Sequence, residues 1–139
     1  MSASNTLPEI RRTMVFNASI QKVWNAVATS EGIAAWFMSN NFQPVKGQVF
    51  YLEAGPFGKS ECEVTELDPP RLLSFRWGSQ WTATFELFEA DGKTEFTLIH
   101  AGWDAEKLTE FGEPHTIVRD RMDNGWGGLI QKLRAYVEA

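Results

Sequence analysis

The sequence predicts an α+β domain in which a curved antiparallel six-stranded sheet is covered by a long C-terminal helix. Three observations lead to this fold class: strand-length runs with period-2 alternation, short connections rich in turn residues, and one long helical pattern at the end. Short connections favour antiparallel neighbours, because parallel strands need crossovers of about a dozen residues or more. The 139 residues suffice for one domain with a hydrophobic core.

The first elements are predicted to be one strand and two short helices. Residues 9–16 alternate as a strand. Ser19 is predicted to cap a short helix, whose apolar residues recur at the spacing of one helix face: Ile20, Val23, Trp24 and Val27. Ser30 is predicted to cap a second short helix that continues to Phe37.

Five further strands are predicted at residues 48–53, 59–67, 72–77, 81–89 and 94–100. The turn signals between them are Gly55-Pro56-Phe57-Gly58, Asp68-Pro69-Pro70, Gly78-Ser79-Gln80 and Asp91-Gly92, the last typical of a tight hairpin. Alternation assigns Arg76 to the solvated face. The same alternation assigns twelve residues to the apolar face: Cys62, Val64, Leu73, Phe75, Trp77, Trp81, Ala83, Phe85, Leu87, Phe96, Leu98 and His100.

The last element is a helix that follows a loop at 101–113 and has Pro114 in its first turn. Its apolar stripe is formed by Met122, Trp126, Leu129, Ile130, Leu133 and Val137. The same helix contains Gly125, Gly127 and Gly128, and each interior glycine costs roughly 1 kcal/mol relative to alanine. The glycines therefore predict either a close approach of the sheet or room for a guest beside Trp126.

Composition excludes several kinds of partner. The formal net charge is −5 and basic residues do not cluster beyond Arg11-Arg12, which disfavours nucleic acids and anionic membranes. No segment approaches the roughly 18 apolar residues of a membrane span, so no membrane insertion is expected.

Residues 1–8 lack the features of a signal peptide and are predicted to be a disordered tail before a domain at 9–139. A single cysteine, Cys62, suits a reducing cytoplasm, where we expect the protein.

No catalytic residue, metal ligand or cofactor is predicted. Cys62, His100 and His115 show no metal-ligand spacing, and no phosphate-binding loop is present. His100 permits two interpretations: an inward group that hydrogen-bonds or exchanges protons with a ligand, or a strand-end histidine satisfied by backbone or water. The second interpretation is favoured.

Segments spread over almost the whole chain carry a family resemblance. They are Ala18 with Val23-Trp24-Asn25-Ala26, Gly32-Ile33 with Trp36-Phe37, Gly47 with Phe50, Glu66-Leu67-Asp68-Pro69-Pro70-Arg71-Leu72, His100-Ala101-Gly102-Trp103, and Gly125-Trp126 with Leu129 and Leu133. In this order and spacing they resemble the START-like (SRPBCC) superfamily with its helix-grip fold. Within it, the chain is similar to the family related to the C-terminal domain of the activator of the 90-kDa heat-shock protein ATPase.

The resemblance implies a deep apolar cavity between the C-terminal helix and the sheet, without implying one activity. Some relatives hold lipids, polyketides or hormones, some cyclise or aromatise polyketides, and the eukaryotic namesake stimulates a chaperone ATPase. We therefore predict cofactor-free binding of a hydrophobic small molecule that is aromatic, lipid or polyketide-like. The expected ligand-binding residues are Trp36, Phe37, Phe75, Trp77, Trp81, Phe85, Phe96, Leu98, His100, Met122, Trp126 and Ile130.

Two other functions are kept as alternatives. The first is an enzyme that acts on such a ligand as a cyclase or hydrolase, with His100 supplying acid–base chemistry. The second is a protein-interaction module of the stress response that binds a chaperone. The protein is expected to be a monomer or a weak dimer.

Overall fold

Six strands form a single antiparallel sheet in the computed structural model, which describes residues 6–53, 58–109 and 112–139. The strands are β1 (Ile10–Phe16), β2 (Val49–Glu53), β3 (Lys59–Asp68), β4 (Leu72–Trp77), β5 (Trp81–Ala90) and β6 (Lys93–Ala101). Their order in the sheet is β1-β6-β5-β4-β3-β2. The predicted α+β fold class is confirmed, and each strand begins and ends within one residue of its predicted position.

The three helices of the described residues are α1 (Ile20–Val27), α2 (Ser30–Trp36) and α3 (His115–Val137). The Ser19 side chain caps α1 by accepting the backbone N–H of Lys22 at 3.3 Å, as predicted. The prediction of Ser30 as the cap of α2 is wrong. Thr29 has the extended backbone that a cap requires, and its hydroxyl accepts the N–H of Gly32 at 3.0 Å, while Ser30 is already the first helical residue.

Helix α3 lies across the apolar face of the sheet. Pro114 directly precedes it in the N-cap position, one residue before the predicted place, where its missing N–H leaves no helical hydrogen bond unmade. Trp126 of α3 contacts the rings of Trp77 on β4 and His100 on β6. The helix therefore encloses the aromatic residues of the central strands.

The predicted faces of the sheet are confirmed. The residues that alternation placed on the apolar face are buried, except that Trp81 is partly exposed. Arg76 lies on the opposite face, where its guanidinium forms ion pairs with Glu61 at 3.3 Å and Glu63 at 3.6 Å. The hairpin at Asp91-Gly92 has positive φ angles of 55° and 76°, as a tight two-residue turn requires.

Two glycines are required by close backbone approaches. A Cβ atom at Gly32 would overlap the backbone of Asn25 and Ala26, so this glycine allows α2 to pack against α1. Gly102 has a φ of 103°, and a Cβ atom there would overlap the carbonyl oxygen of Gln80. Gly102 therefore holds the chain after β6 against the β4–β5 turn.

The N-terminal segment is attached to that same region. The backbone N–H of Leu7 donates to the carbonyl oxygen of Trp103 at 3.0 Å, and Thr6 forms a β-bridge with Asp104. Residues 1–5 of the predicted tail and residues 55–57 of the predicted turn lie outside the described residues.

The glycines of α3 do not share one role. Gly125 and Gly128 are exposed, and a Cβ atom on either would meet open space, so the expectation that they face the sheet or a guest is wrong. Gly127 alone faces the sheet, where a Cβ atom would lie 3.5 Å from the guanidinium of Arg12 on β1. The reason is angular, because each residue is rotated by about 100° from the one before, so that Gly125 and Gly127 lie on opposite sides of Trp126 and only the Gly127 side faces β1.

Gly125→Ala and Gly128→Ala should each raise the free energy of unfolding by about 0.5–1 kcal/mol, because alanine has less backbone freedom in the unfolded chain and meets nothing here. Urea denaturation measures this gain. Gly102→Ala serves as the opposite control and should destabilise the fold. Loss of stability in both helix variants would contradict the outward placement of these glycines.

Candidate functional site

His100 lies at the centre of a cluster of tryptophans between the sheet and α3. Its side chain is fully buried, at 0% exposure. Within the described part of the chain four indoles contact its ring: Trp77 stacks on it with centroids 5.1 Å apart, while Trp81, Trp103 and Trp126 lie at 5.1, 4.7 and 5.9 Å. We call these five residues the His100 cluster.

Strand register and one small residue position this cluster. His100 follows Phe96 and Leu98 along β6, so alternation turns all three side chains inward. The cross-strand partners of His100 are Ala83 on β5 and Ile10 on β1, and the short side chain of Ala83 takes up little space beside the imidazole. Trp77 and Trp81 face each other across the β4–β5 turn, which places both indoles next to His100.

Hydrogen bonds within the cluster determine which ring nitrogen of His100 carries the proton. The indole N–H of Trp126 donates to Nδ1 of His100 at 3.0 Å. Because Nδ1 accepts, the neutral imidazole carries its proton on Nε2. The indole N–H of Trp103 donates to the backbone carbonyl of His100 at 3.0 Å. The ring is therefore held in one tautomer and one orientation.

Two buried donors in the cluster have no acceptor among the described residues: Nε2 of His100 and Nε1 of Trp81. Buried polar groups are nearly always hydrogen-bonded, and leaving one unpaired costs about 1–3 kcal/mol. Both unpaired donors belong to rings that are in contact, with centroids 5.1 Å apart.

Burial also sets the charge of the site. Desolvation lowers the pKa of His100 to about 3 from its ordinary 6.5. The imidazole is therefore neutral at physiological pH, and its N–H at Nε2 is available to donate a hydrogen bond. The expectation that backbone or water satisfies His100 is wrong for Nδ1, which accepts from the indole of Trp126. Nε2 has no acceptor among the described residues.

The other predicted aromatic residues form a layer beside the cluster. Phe37 stacks on Trp126 at 5.1 Å, and Trp36 contacts Phe37 at 5.3 Å and Phe85 at 5.8 Å. Of the twelve predicted residues, Phe37, Trp81 and Met122 are partly buried. The rest are buried: Trp36, Phe75, Trp77, Phe85, Phe96, Leu98, His100, Trp126 and Ile130.

Ile130 also lines a small cleft at the side of the domain, between β1 and α3. The cleft has a volume of about 140 Å³, and its lining comprises Arg12, Thr13, Met14, Gly127, Ile130 and Gln131. Ligand sites usually measure about 300–1,000 Å³, so this cleft is small for a complete site. Arg12 is held at its rim by an ion pair with Asp123 at 3.1 Å.

Sequence reasoning missed Trp103 and His115 as site residues. Trp103 follows β6, where alternation no longer applies; the glycine before it was the available signal of a bend. His115 begins α3 and touches the rings of Trp81 and Trp103. Its Nδ1 accepts the N–H of Asp104 at 3.0 Å, and its Nε2 donates to Oε1 of Gln80 at 2.8 Å.

His115 thus joins three segments that close one end of the cluster: the turn before β5, the chain after β6 and the start of α3. Burial lowers the pKa of His115, while the negative charge of Asp104 opposes that shift and Lys107 adds to it. The neutral form, whose Nδ1 can accept, is the form that this network requires.

Metal and membrane sites find no support in the described ranges. Residues 6–53, 58–109 and 112–139 contain no group of three or more His, Cys, Asp or Glu side chains placed to bind a metal ion. No helix in these ranges is both long and apolar enough to cross a membrane.

The low pKa of His100 predicts acid sensitivity. The unfolded chain binds a proton at this imidazole near pH 6.5, and the folded chain binds it only near pH 3. The free energy of unfolding is therefore highest above pH 6.5 and decreases as the pH falls from 6.5 toward 3. Between pH 6.5 and 4.5 the free energy of unfolding of the wild type should fall by about 2–3 kcal/mol more than that of His100→Phe, which has no imidazole to titrate. Urea denaturation at several pH values measures both slopes. Equal slopes would mean that His100 titrates normally in the folded protein.

Comparison with known proteins supports the fold. The family described as Activator of Hsp90 ATPase homolog 1-like protein matches residues 17–138. A Bacillus halodurans protein with a solution structure is 43% identical, over 96% of this chain and 99% of that chain, with a TM-score of 0.87. No curated protein matches this chain.

Two solved structures of lower identity share the fold. The Aha1 dimer from Colwellia psychrerythraea is 18% identical over 95% of this chain and 97% of that chain, with a TM-score of 0.76. DynU16, a protein in the dynemicin biosynthetic locus, is 20% identical over 96% of this chain and 48% of that chain, with a TM-score of 0.77. The predicted helix-grip fold and family resemblance are confirmed, and the chain belongs to the family of Activator of Hsp90 ATPase homolog 1-like proteins.

Proposed function

We propose that the protein binds a hydrophobic, aromatic small molecule at the His100 cluster, between the sheet and α3. The observation that carries this proposal is the N–H at Nε2 of His100, which has no acceptor among the described residues although four indoles contact the ring. Small-molecule sites are mostly apolar and contain a few polar groups that orient the ligand. A guest with a hydrogen-bond acceptor would relieve the cost of the unpaired donor.

Side chains occupy the interior, so binding requires rings to move. Phe37, Trp81 and Met122 are partly exposed, whereas Trp126 and His100 behind them are buried. Phe37 is the C-cap residue of α2, and its ring covers Trp126 and contacts Trp77 at 5.7 Å. Rotation of this ring would uncover the cluster, so a guest gains access beside Phe37.

The charge state of His100 favours binding over acid–base catalysis. General acids and bases work best when their pKa lies near the working pH, whereas the pKa of His100 is about 3. The likeness to DynU16 is compatible with ligand binding. Chaperone binding and a cytoplasmic location stay predictions.

Removal of the Phe37 ring should strengthen binding of a hydrophobic probe. Tetralin, a bicyclic hydrocarbon with one aromatic ring, should shift the indole N–H signals of Trp81 and Trp126 in NMR spectra. Phe37→Ala should bind tetralin about tenfold more tightly, because the guest no longer displaces a packed ring. Titration by NMR gives both affinities.

Phe88→Ala is the matched control. Phe88 is 66% exposed, and the same substitution there should leave the affinity for tetralin unchanged. If neither tetralin nor its ketone 1-tetralone shifts the signals of the cluster indoles in the wild type or in folded Phe37→Ala, the proposed site is not a ligand site.

A further inference from the structure

The indoles around the cluster differ in how their N–H groups are satisfied. Among the described residues, Trp36 donates to the carbonyl of Ala26 at 2.8 Å, and Trp103 and Trp126 donate to the backbone oxygen and Nδ1 of His100. The buried N–H of Trp81 has no such acceptor. The same kind of donor is therefore paired in Trp36, Trp103 and Trp126 and unpaired in Trp81.

That unpaired indole touches the second unpaired donor. The rings of Trp81 and His100 lie with centroids 5.1 Å apart at an interplanar angle of 82°. Since Trp126 occupies Nδ1, the free N–H of His100 is on Nε2. A neighbouring ring face is a weak acceptor compared with an oxygen lone pair, so the aromatic contacts do not replace the missing hydrogen bonds.

We propose that Trp81 and His100 together recognise an acceptor oxygen on the ligand, and that the ligand is an uncharged aromatic carbonyl compound such as an aryl ketone or a quinone. This assignment rests on the proposed function and narrows its ligand class. Among the described side chains the two buried polar atoms without a partner are both donors, and they match a ligand oxygen that carries lone pairs and no proton. The surrounding indoles match a flat aromatic body, which they contact through ring faces and edges.

Charge distinguishes the carbonyl from a carboxylate. The five members of the His100 cluster include no cationic side chain, because the imidazole is neutral. Burial of a carboxylate without a counter-charge is much more costly than burial of a ketone. A fatty acid or an aryl carboxylate is therefore disfavoured at this position, and so is a plain hydrocarbon, which leaves both donors unpaired.

The test compares 1-tetralone with tetralin, which has a methylene group in place of the carbonyl. Both are titrated into the wild type and into Trp81→Phe, which keeps an aromatic ring and lacks the N–H. Tetralone should be favoured over tetralin in the wild type, and that preference should fall about tenfold in Trp81→Phe. Trp24→Phe, a buried tryptophan on α1, is the control and should keep the wild-type preference.

The outcomes separate this inference from the proposed function. If both probes bind and Trp81→Phe leaves their ratio unchanged, the oxygen site is wrong and the binding function stands. If neither probe binds to the wild type, both proposals are wrong. Tighter binding of 1-naphthoate than of 1-tetralone would overturn the uncharged ligand class.

The unliganded protein provides an independent readout. Trp81→Phe removes no hydrogen bond to a described residue, whereas Trp103→Phe leaves the His100 carbonyl without its indole donor. Trp81→Phe should therefore lower the urea midpoint less than Trp103→Phe. An equal or larger loss in Trp81→Phe would show that its N–H is satisfied in the folded protein and would overturn the inference.

Discussion

The hydrogen bond from the indole of Trp126 to Nδ1 of His100 connects the long helix to the sheet, and the rest of the interior depends on it. Both residues are buried, so neither could exchange this partner for water without opening the domain. The bond points Trp126 at β6, and the buried residues Ile130 and Leu133 turn the same face of α3 toward the sheet. It also assigns the imidazole proton to Nε2, which decides what the interior offers to a guest.

Energetically unfavourable local features are concentrated in and beside the His100 cluster. Gly102, which has no side chain to pack, allows the bend that places Trp103 against His100. Two buried donors have no acceptor among the described residues. Elsewhere the local patterns agree with the fold, as in the caps of α1 and α2 and the hairpin at Asp91-Gly92. Folded proteins tend to depart from such consistency at functional sites, where the cost is offset by the rest of the structure.

The strands and their faces could be predicted because the alternation of a strand is local. Phe96, Leu98 and His100 point inward for the same reason, and most predicted site residues therefore lie in or beside the cluster. Trp103 escaped prediction because it lies beyond the end of β6, where no period applies. His115 escaped prediction because it is the first residue of α3, before the apolar stripe of that helix begins. The cap of α2 was misplaced by one residue because Thr29 and Ser30 are both good caps, and only the backbone angles distinguish them.

The sequence by itself determined the class of fold, the strand boundaries, the inward set of aromatic residues and the family. Only the tertiary structure decided which nitrogen of His100 is paired, which indole lacks an acceptor, and which glycine of α3 faces the sheet. The physical reason is the range of the interactions. Periodicity and turn chemistry act between neighbours in the chain. Trp126 contacts His100, and Arg12 lies beside Gly127, only after folding brings these distant segments together.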